Sequence, residues 1–294
     1  MKKIYTTNKV IGLILVTATL FSCTEEIDVK LDNEETRLSV EANVNSDLKK
    51  HRVILKETSD VFYSQEAIPV KNARVKVNDG TTDFTYIEIK DGTYESELEF
   101  AGEPGKTYTL SINNVDVNKD GNMEEYLASS TMQQAYAVDS IKLHFDPEHE
   151  PDGDDDDEGE FWLLSIYMKD NPDKEDYYAF ASRINDVIVH DTITEVLVEK
   201  DTYFNGEQTK GVDVGEFDQN KADEILQNAD KITLETYAIN ESYYNFVNQL
   251  QEMDEGQNMF SGPPGNIETN ISNGAIGFFS VYPITRTTII HKTE

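Results

Sequence analysis

The chain has one cysteine, one tryptophan and less than half as many basic as acidic side chains, 25 against 57. A single thiol excludes a disulfide framework and any cysteine-based metal site. The shortage of lysine and arginine excludes a nucleic-acid binder, because phosphate recognition rests on clustered cations. Long apolar runs are missing too. The apolar stretch Val10 to Phe21, which carries no charge, is too short for a membrane-spanning helix, which needs about 20 apolar residues. No glycine-rich phosphate loop, Gly-x-Ser-x-Gly elbow or metal-hydrolase histidine pair occurs, and His51, His144, His149, His190 and His291 lie scattered without ligand spacing. With so many carboxylates an acid/base pair can always be imagined, so a glycosidase reading has no content.

The short apolar run has a different meaning. Lys2, Lys3 and Lys9 precede it and Ser22 and Cys23 follow, which is the layout of an export signal with a small residue at the cut. Leu20, Phe21, Ser22 and Cys23 resemble a lipobox, so residues 1–22 are expected to be removed and Cys23 to carry lipid. Several acyl chains on that cysteine would make attachment effectively permanent. Cleavage removes three lysines and no acid, which takes 25 basic residues to 22 and the net charge from −32 to −35. Thr24, Glu25, Glu26, Ile27 and Asp28 resemble the acidic signal that sends such lipoproteins to the outer face of the outer membrane. The body beyond is no disordered acidic tail: 15 tyrosines and 13 phenylalanines supply the apolar area that ordering requires.

The body reads as mainly β. After a polar tether over residues 23–36, Leu38, Val40, Ala42 and Val44 alternate with polar residues, the two-residue period of a half-buried strand. Val53 and Leu55 continue it, as do Val70, Ala73, Val75 and Val77, up to the turn pair Asp79 and Gly80. Phe84 to Ile89 leads to Asp91 and Gly92, a pair that predicts a type I′ hairpin. With Tyr94 to Phe100 and Thr107 to Ile112, residues 37–135 are expected to form an immunoglobulin-like or transthyretin-like β-sandwich. A second β-rich domain is expected over residues 136–294. Its strands are Ser140–Phe145, Phe161–Met168, Tyr177–Ile184, Val187–His190, Thr194–Val198, Lys231–Ile239, Ala275–Tyr282 and Thr285–His291. Asp154 to Glu158 is an unbroken acidic run, and Pro147 and Pro151 flank it, so residues 146–160 read as a solvated loop. One amphipathic helix is expected: from Asn240 as N-cap, Tyr243, Phe246, Val247 and Leu250 make a stripe that belongs in a core, and Gly256 would end it.

Two stretches carry candidate chemistry. Asp116, Asn118, Asp120, Gly121 and Asn122 place oxygen side chains on alternate residues with glycine at the sharp turn, like the front half of a calcium loop, and Glu124 could add a ligand. An EF-hand would have a bidentate glutamate where Leu127 stands, and the same residues also make an ordinary hairpin turn. The segment Gly262 to Gly265, Gly-Pro-Pro-Gly, reads as a rigid turn at a sheet edge or a loop shown to a partner.

Several of these pieces together resemble a known family. The lipobox with Glu25, Glu26, Ile27 and Asp28, then Val40 to Ala42, Pro69 to Val77, Gly92 to Tyr94, and Gly105 to Leu110 are similar to its first half. Phe260 to Pro264, Asn266, Asn270 to Phe279 and Arg286 resemble its C-terminal signature. The family is an uncharacterised group of Bacteroidota outer-membrane lipoproteins, domain of unknown function 4249. The resemblance implies an outer-membrane, surface-exposed lipoprotein that accompanies a TonB-dependent receptor, and it carries no catalytic residue. The expected function is therefore that of a non-enzymatic accessory to nutrient uptake. A stand-alone carbohydrate- or peptide-binding lipoprotein is the alternative, with a hydrolase third.

Overall fold

The computed structural model describes residues 36–58, 67–149, 159–169, 171–189, 192–203, 206–254 and 267–292. Cys23, the export signal, the tether up to residue 35, the acidic run at 150–158, His190, Gly256 and the Gly-Pro-Pro-Gly segment lie outside them.

Alternation of apolar and polar residues sets the first seven strands: β1 (Leu38–Asn45), β2 (Arg52–Glu57), β3 (Arg74–Asn78), β4 (Asp83–Lys90), β5 (Thr93–Ser96), β6 (Thr107–Val115) and β7 (Glu124–Thr131). In β1, Leu38, Val40, Ala42 and Val44 are buried while Glu41 is exposed. The expected start of β3 at Val70 is too early. Pro69 makes only an isolated bridge to Lys56, and Asn72 has a positive φ of 57°, so regular pairing begins at Arg74. The hairpin at Asp91 and Gly92 is present, although only Gly92 takes a positive φ, at 69°. A register shift between Glu88 and Lys90 in β4 accompanies that turn, as bulges do where a hairpin needs extra twist.

These strands do not divide into the two sheets of the expected sandwich. They lie in one eight-stranded sheet whose eighth member, β15 (Ile276–Tyr282), comes from the far end of the chain. The order is β15, β1, β2, β5, β4, β3, β6, β7, with β15 parallel to β1 from Ser39↔Ile276 to Asn45↔Tyr282. The sheet curls until its two edges nearly meet. Ser272, just before β15, donates its N–H to the Leu127 carbonyl at 2.8 Å and its Oγ accepts the Leu127 N–H at 2.7 Å. Near-closure into a barrel occupies edge groups that would otherwise template aggregation. A single core fills the interior, with Leu38, Leu55, Leu110, Ile112, Tyr94, Tyr108 and Phe279 among its most buried members.

The remaining strands make two smaller sheets. One has β13 (Val212–Asp218), β9 (Gly159–Met168) and β8 (Val138–His149) in that order. The other runs β11 (Val187–Val189), β10 (Tyr177–Ile184), β14 (Lys231–Ile239) and β16 (Ile284–Ile290), with β12 (Leu197–Lys200) also paired to β10. Strand β8 continues to His149, into the segment expected to be loop. It tolerates Pro147 because its register with β9 shifts between Asp146 and His149, a bulge that leaves no ladder hydrogen bond for the missing N–H to make. The strand expected at Thr194–Val198 is instead turn up to Val196 and strand from Leu197. Helix α1 (Glu241–Asp254) places Phe246 and Val247 in a core with Tyr177, Ala179, Ile239 and Phe278, so its stripe is a packing face as expected. No helix among the described residues is long and apolar enough to cross a membrane.

One buried base makes this fold sensitive to pH. His51 is 1 % exposed, its Nε2 donates to the Phe100 carbonyl at 2.9 Å, and its Nδ1 has no partner. Burial pushes its pKa down from 6.5 to about 4. The unfolded chain therefore binds this proton first as pH falls. Between 6.5 and about 4, His51 is expected to cost up to about 3 kcal/mol of stability. Urea unfolding of His51→Gln across that window should show a flatter pH profile than the wild-type protein; parallel profiles would refute the assignment.

Candidate functional site

The residues singled out as calcium ligands form the β6–β7 turn. Asp116 Oδ1 accepts the Asp120 N–H and its Oδ2 the Gly121 N–H, each at 3.1 Å. Asn118 Oδ1 also accepts from Asp120 N–H at 3.1 Å, and Asp120 Oδ1 from Asn122 N–H at 2.8 Å. The Asn122 N–H at Asp120 helps hold that carboxyl below its ordinary pKa. Asn118 Nδ2 reaches Glu124 Oε1 at 3.4 Å, and Tyr126 donates its hydroxyl to Glu124 Oε2. The turn thus brings Asp116, Asn118, Asp120, Asn122 and Glu124 into one hydrogen-bonded set. Among the described residues no group of three His, Cys, Asp or Glu side chains is placed to hold a metal ion. The carboxylates serve the turn itself, as Asp and Asn do when they bond backbone N–H groups a few residues on. Asp116→Ala should cost about 1–2 kcal/mol in buffer with EDTA, read as a lower urea midpoint. A loss seen only when calcium is present would favour the cation.

A serine, a histidine and an aspartate also meet, on the outer side of the three-stranded sheet. Ser165 Oγ donates to Asp213 Oδ1 at 2.6 Å and lies 3.3 Å from His144 Nδ1. In a catalytic triad the imidazole sits between hydroxyl and carboxylate and takes the hydroxyl proton. Here that proton points to the carboxylate directly, so the grouping does not activate Ser165 as a nucleophile.

Charge is concentrated where the barrel meets the β10–β14–β16 sheet. Glu235, on β14 and 2 % exposed, accepts from Arg183 Nε at 2.9 Å, Arg286 Nε at 2.7 Å and Tyr237 Oη at 2.6 Å. Arg286 also grips Asp47 with both terminal nitrogens, each at 2.7 Å. Burial alone would raise the Glu235 pKa, but Arg183, Tyr237 and Arg286 together hold it below the ordinary value. Asp47 is held low chiefly by its hydrogen bonds from Arg286. The network ties β1's exit to β14 and β16.

A cavity lies elsewhere among the described residues. It has a volume of about 130 Å³ and is walled by the segment after β7, the approach to β10 and the start of α1. Asn240 positions two of these walls: its Oδ1 accepts from Gln133 Nε2 at 2.7 Å and its Nδ2 donates to Ser130 Oγ at 3.0 Å. Its backbone carbonyl meanwhile accepts the N–H groups of Tyr243 and Tyr244 as the helix begins. The third wall turns on Asp176, whose side chain is 1 % exposed. Asp176 Oδ1 takes the Lys174 ammonium at 2.5 Å and the Tyr136 hydroxyl at 3.1 Å. Asp176 Oδ2 is buried with no hydrogen-bond partner. Tyr177 donates to Glu175 Oε2 at 2.8 Å, and burial followed by the Glu175 hydrogen bond raises its pKa well above the ordinary range. Asn240 was legible as a helix start, but nothing in the sequence marked Asp176 or the cavity, because its lining comes from three separated segments.

A comparison with curated proteins finds no match to the chain. A family model, described as "Domain of unknown function (DUF4249)", matches residues 24–288, nearly the whole length. Arg286 of the charged network, and the stretch from Asn270 to Phe279 that brings in and forms β15, fall inside that match. The chain is a member of the DUF4249 family.

Proposed function

We propose that this protein is a non-enzymatic lipoprotein, anchored through Cys23 to the surface of the outer membrane, where it serves a TonB-dependent transporter in nutrient capture. The observation that carries the reading is where the family match starts. It begins at residue 24, directly behind Cys23, so the family body follows the expected cleavage point and excludes the export signal. The association with a transporter comes from the family resemblance. Tagged full-length protein, solubilised in mild detergent from its own cells, should bring down a TonB-dependent receptor. Recovery of no receptor, under conditions that retain known transporter–lipoprotein pairs, would overturn the association. Cys23→Ala tests the anchor separately, since the variant should leave the membrane fraction.

A second reading, a module that binds a small ligand by itself, is favoured by the cavity lined by Tyr136 and Tyr177. Aromatic faces beside a few polar groups are the usual lining of such sites.

A further inference from the structure

We propose that the end of the barrel where β1 begins rests on the bilayer that holds the lipid of Cys23, with Ile68, Ile89 and Met123 entering the lipid interface. This deepens the anchor reading above and rests on it. The end is built from segments that grip one another. Thr58 accepts the Arg37 N–H on its hydroxyl and donates its own N–H to the Arg37 carbonyl, each at 2.9 Å, which fixes where the chain enters the barrel. Lys119 of the β6–β7 turn pairs with Glu57 at the end of β2, at 3.1 Å. Lys71, ahead of β3, pairs with Asp91 of the β4–β5 hairpin at 2.5 Å, and Asn114 Nδ2 donates to the Asn72 carbonyl at 2.8 Å. These segments therefore present one surface.

Apolar side chains stand bare on it. Met123 is 64 % exposed and Ile68 is 52 % exposed, and Ile89, beside the hairpin, is exposed as well. A single exposed apolar residue is ordinary. Here they are interspersed with Arg37, Lys56, Lys71, Arg74, Lys90 and Lys119, and such side chains lay their apolar stems along lipid while the charged head reaches the headgroups. Charge points the same way. Over residues 36–37, 56–58, 67–74, 88–92 and 114–125 six bases face seven acids, a balance of −1, in a mature body expected to carry −35. A bilayer meets little repulsion at this end, whereas the acidic remainder of the body repels anionic headgroups.

The covalent path names the occupant. Residues 24–35 join Cys23 to Thr36, a stretch that reaches about 45 Å at full extension, so lipid on Cys23 keeps this end close to the bilayer. Contact between tethered partners is effectively intramolecular, and a weak affinity then suffices. The opposite end of the barrel, past β5, carries Leu98 at 73 % exposed. Exposure alone would favour Leu98; the tether favours the end where the chain enters.

The lipidated protein is prepared with one added cysteine, Ile68→Cys, Met123→Cys or Leu98→Cys, which alone takes a label because lipid closes the thiol of Cys23. Each variant carries a nitrobenzoxadiazole dye and is reconstituted into phosphatidylcholine vesicles with doxyl-labelled lipid, a quencher confined to the bilayer. Apolar groups enter an interface by about 5–10 Å, so dyes at 68 and 123 should lose about half their emission or more, and the dye at 98 almost none. Met123→Asp, with the dye at 68, should restore most of the lost emission; unchanged quenching would overturn the assignment to these side chains. Ile89→Cys replaces a labelled variant that fails to fold by circular dichroism. Equal quenching at all positions, or none at 68 and 123 in protein that floats with the vesicles, overturns the docking and leaves the anchor standing. Protein that does not float overturns both. A blue shift at 68 and 123 without quenching, growing with protein density, assigns the end to a second copy of the chain and overturns the proposal.

Discussion

Glu235→Ala is expected to lower stability by about 3–5 kcal/mol, the range found when one partner of a buried ion pair is removed. The loss exceeds that of a surface pair because the carboxylate is 2 % exposed and serves Arg183, Arg286 and Tyr237 at once. Without it the Arg183 guanidinium loses its carboxylate partner and Arg286 keeps only Asp47, at the seam that joins β14 and β16 to the barrel. Arg286→Lys should be damaging too, since an ammonium cannot grip both oxygens of Asp47 and still reach Glu235. The same carboxylate shapes the acid limb. Its folded pKa lies below its ordinary 4.5, so its stabilisation is present above that value and is lost as pH falls through the folded one. Acid unfolding should therefore proceed in two overlapping windows, His51 first and Glu235 below it. Urea titration at neutral pH, followed by tryptophan and tyrosine fluorescence, gives the magnitude; a cost under about 1 kcal/mol would mean that the pair behaves like an exposed one.

Gly277→Ala should be as severe, about 4 kcal/mol or more, for a steric reason. Gly277 lies inside β15 with φ at +97°, and a Cβ there would overlap the Val40 carbonyl oxygen and sit 2.9 Å from the carbonyl carbon. Backbone cannot yield as a flexible side chain can, so the pairing of β15 with β1 must open. Gly274→Ala is the control. It also has a positive φ, +72°, but nothing stands within 4 Å of its added Cβ, so it should cost only about 1 kcal/mol of backbone strain. Equal melting temperatures for the two variants would show that the close approach is not what requires glycine at position 277.

Strand faces were legible in the sequence and strand partners were not. The period of Leu38, Val40, Ala42 and Val44 says which side is buried, yet it is silent on whether the neighbour is β2 or a strand that begins at Ile276. A sandwich and a curled single sheet bury the same alternation, so the pattern could not choose between them. Strand β13 was missed because Val214 and Gly215 fall in a register shift against β9, which breaks the period that would have revealed it. The helix stripe was plain, since four apolar residues at helical spacing have little other use. At the candidate sites, the turn from Asp116 to Glu124 was visible because its residues are contiguous. The cavity joins Gln133, Asp176 and Asn240, whose chemistry emerges only when the fold assembles them.

The parallel pairing of β1 with β15 has a consequence for biogenesis. The residues it joins, such as Val40 and Gly277, are separated by most of the chain, so the barrel cannot complete its wall until nearly everything has emerged. Contacts of such long range slow folding, because loop closure must precede their reward. Until then β1 and β7 each present an open edge, a template for pairing between molecules. A chain exported unfolded would thus depend on holding factors during transit, and one that ends before residue 276 would lack the strand that finishes the wall.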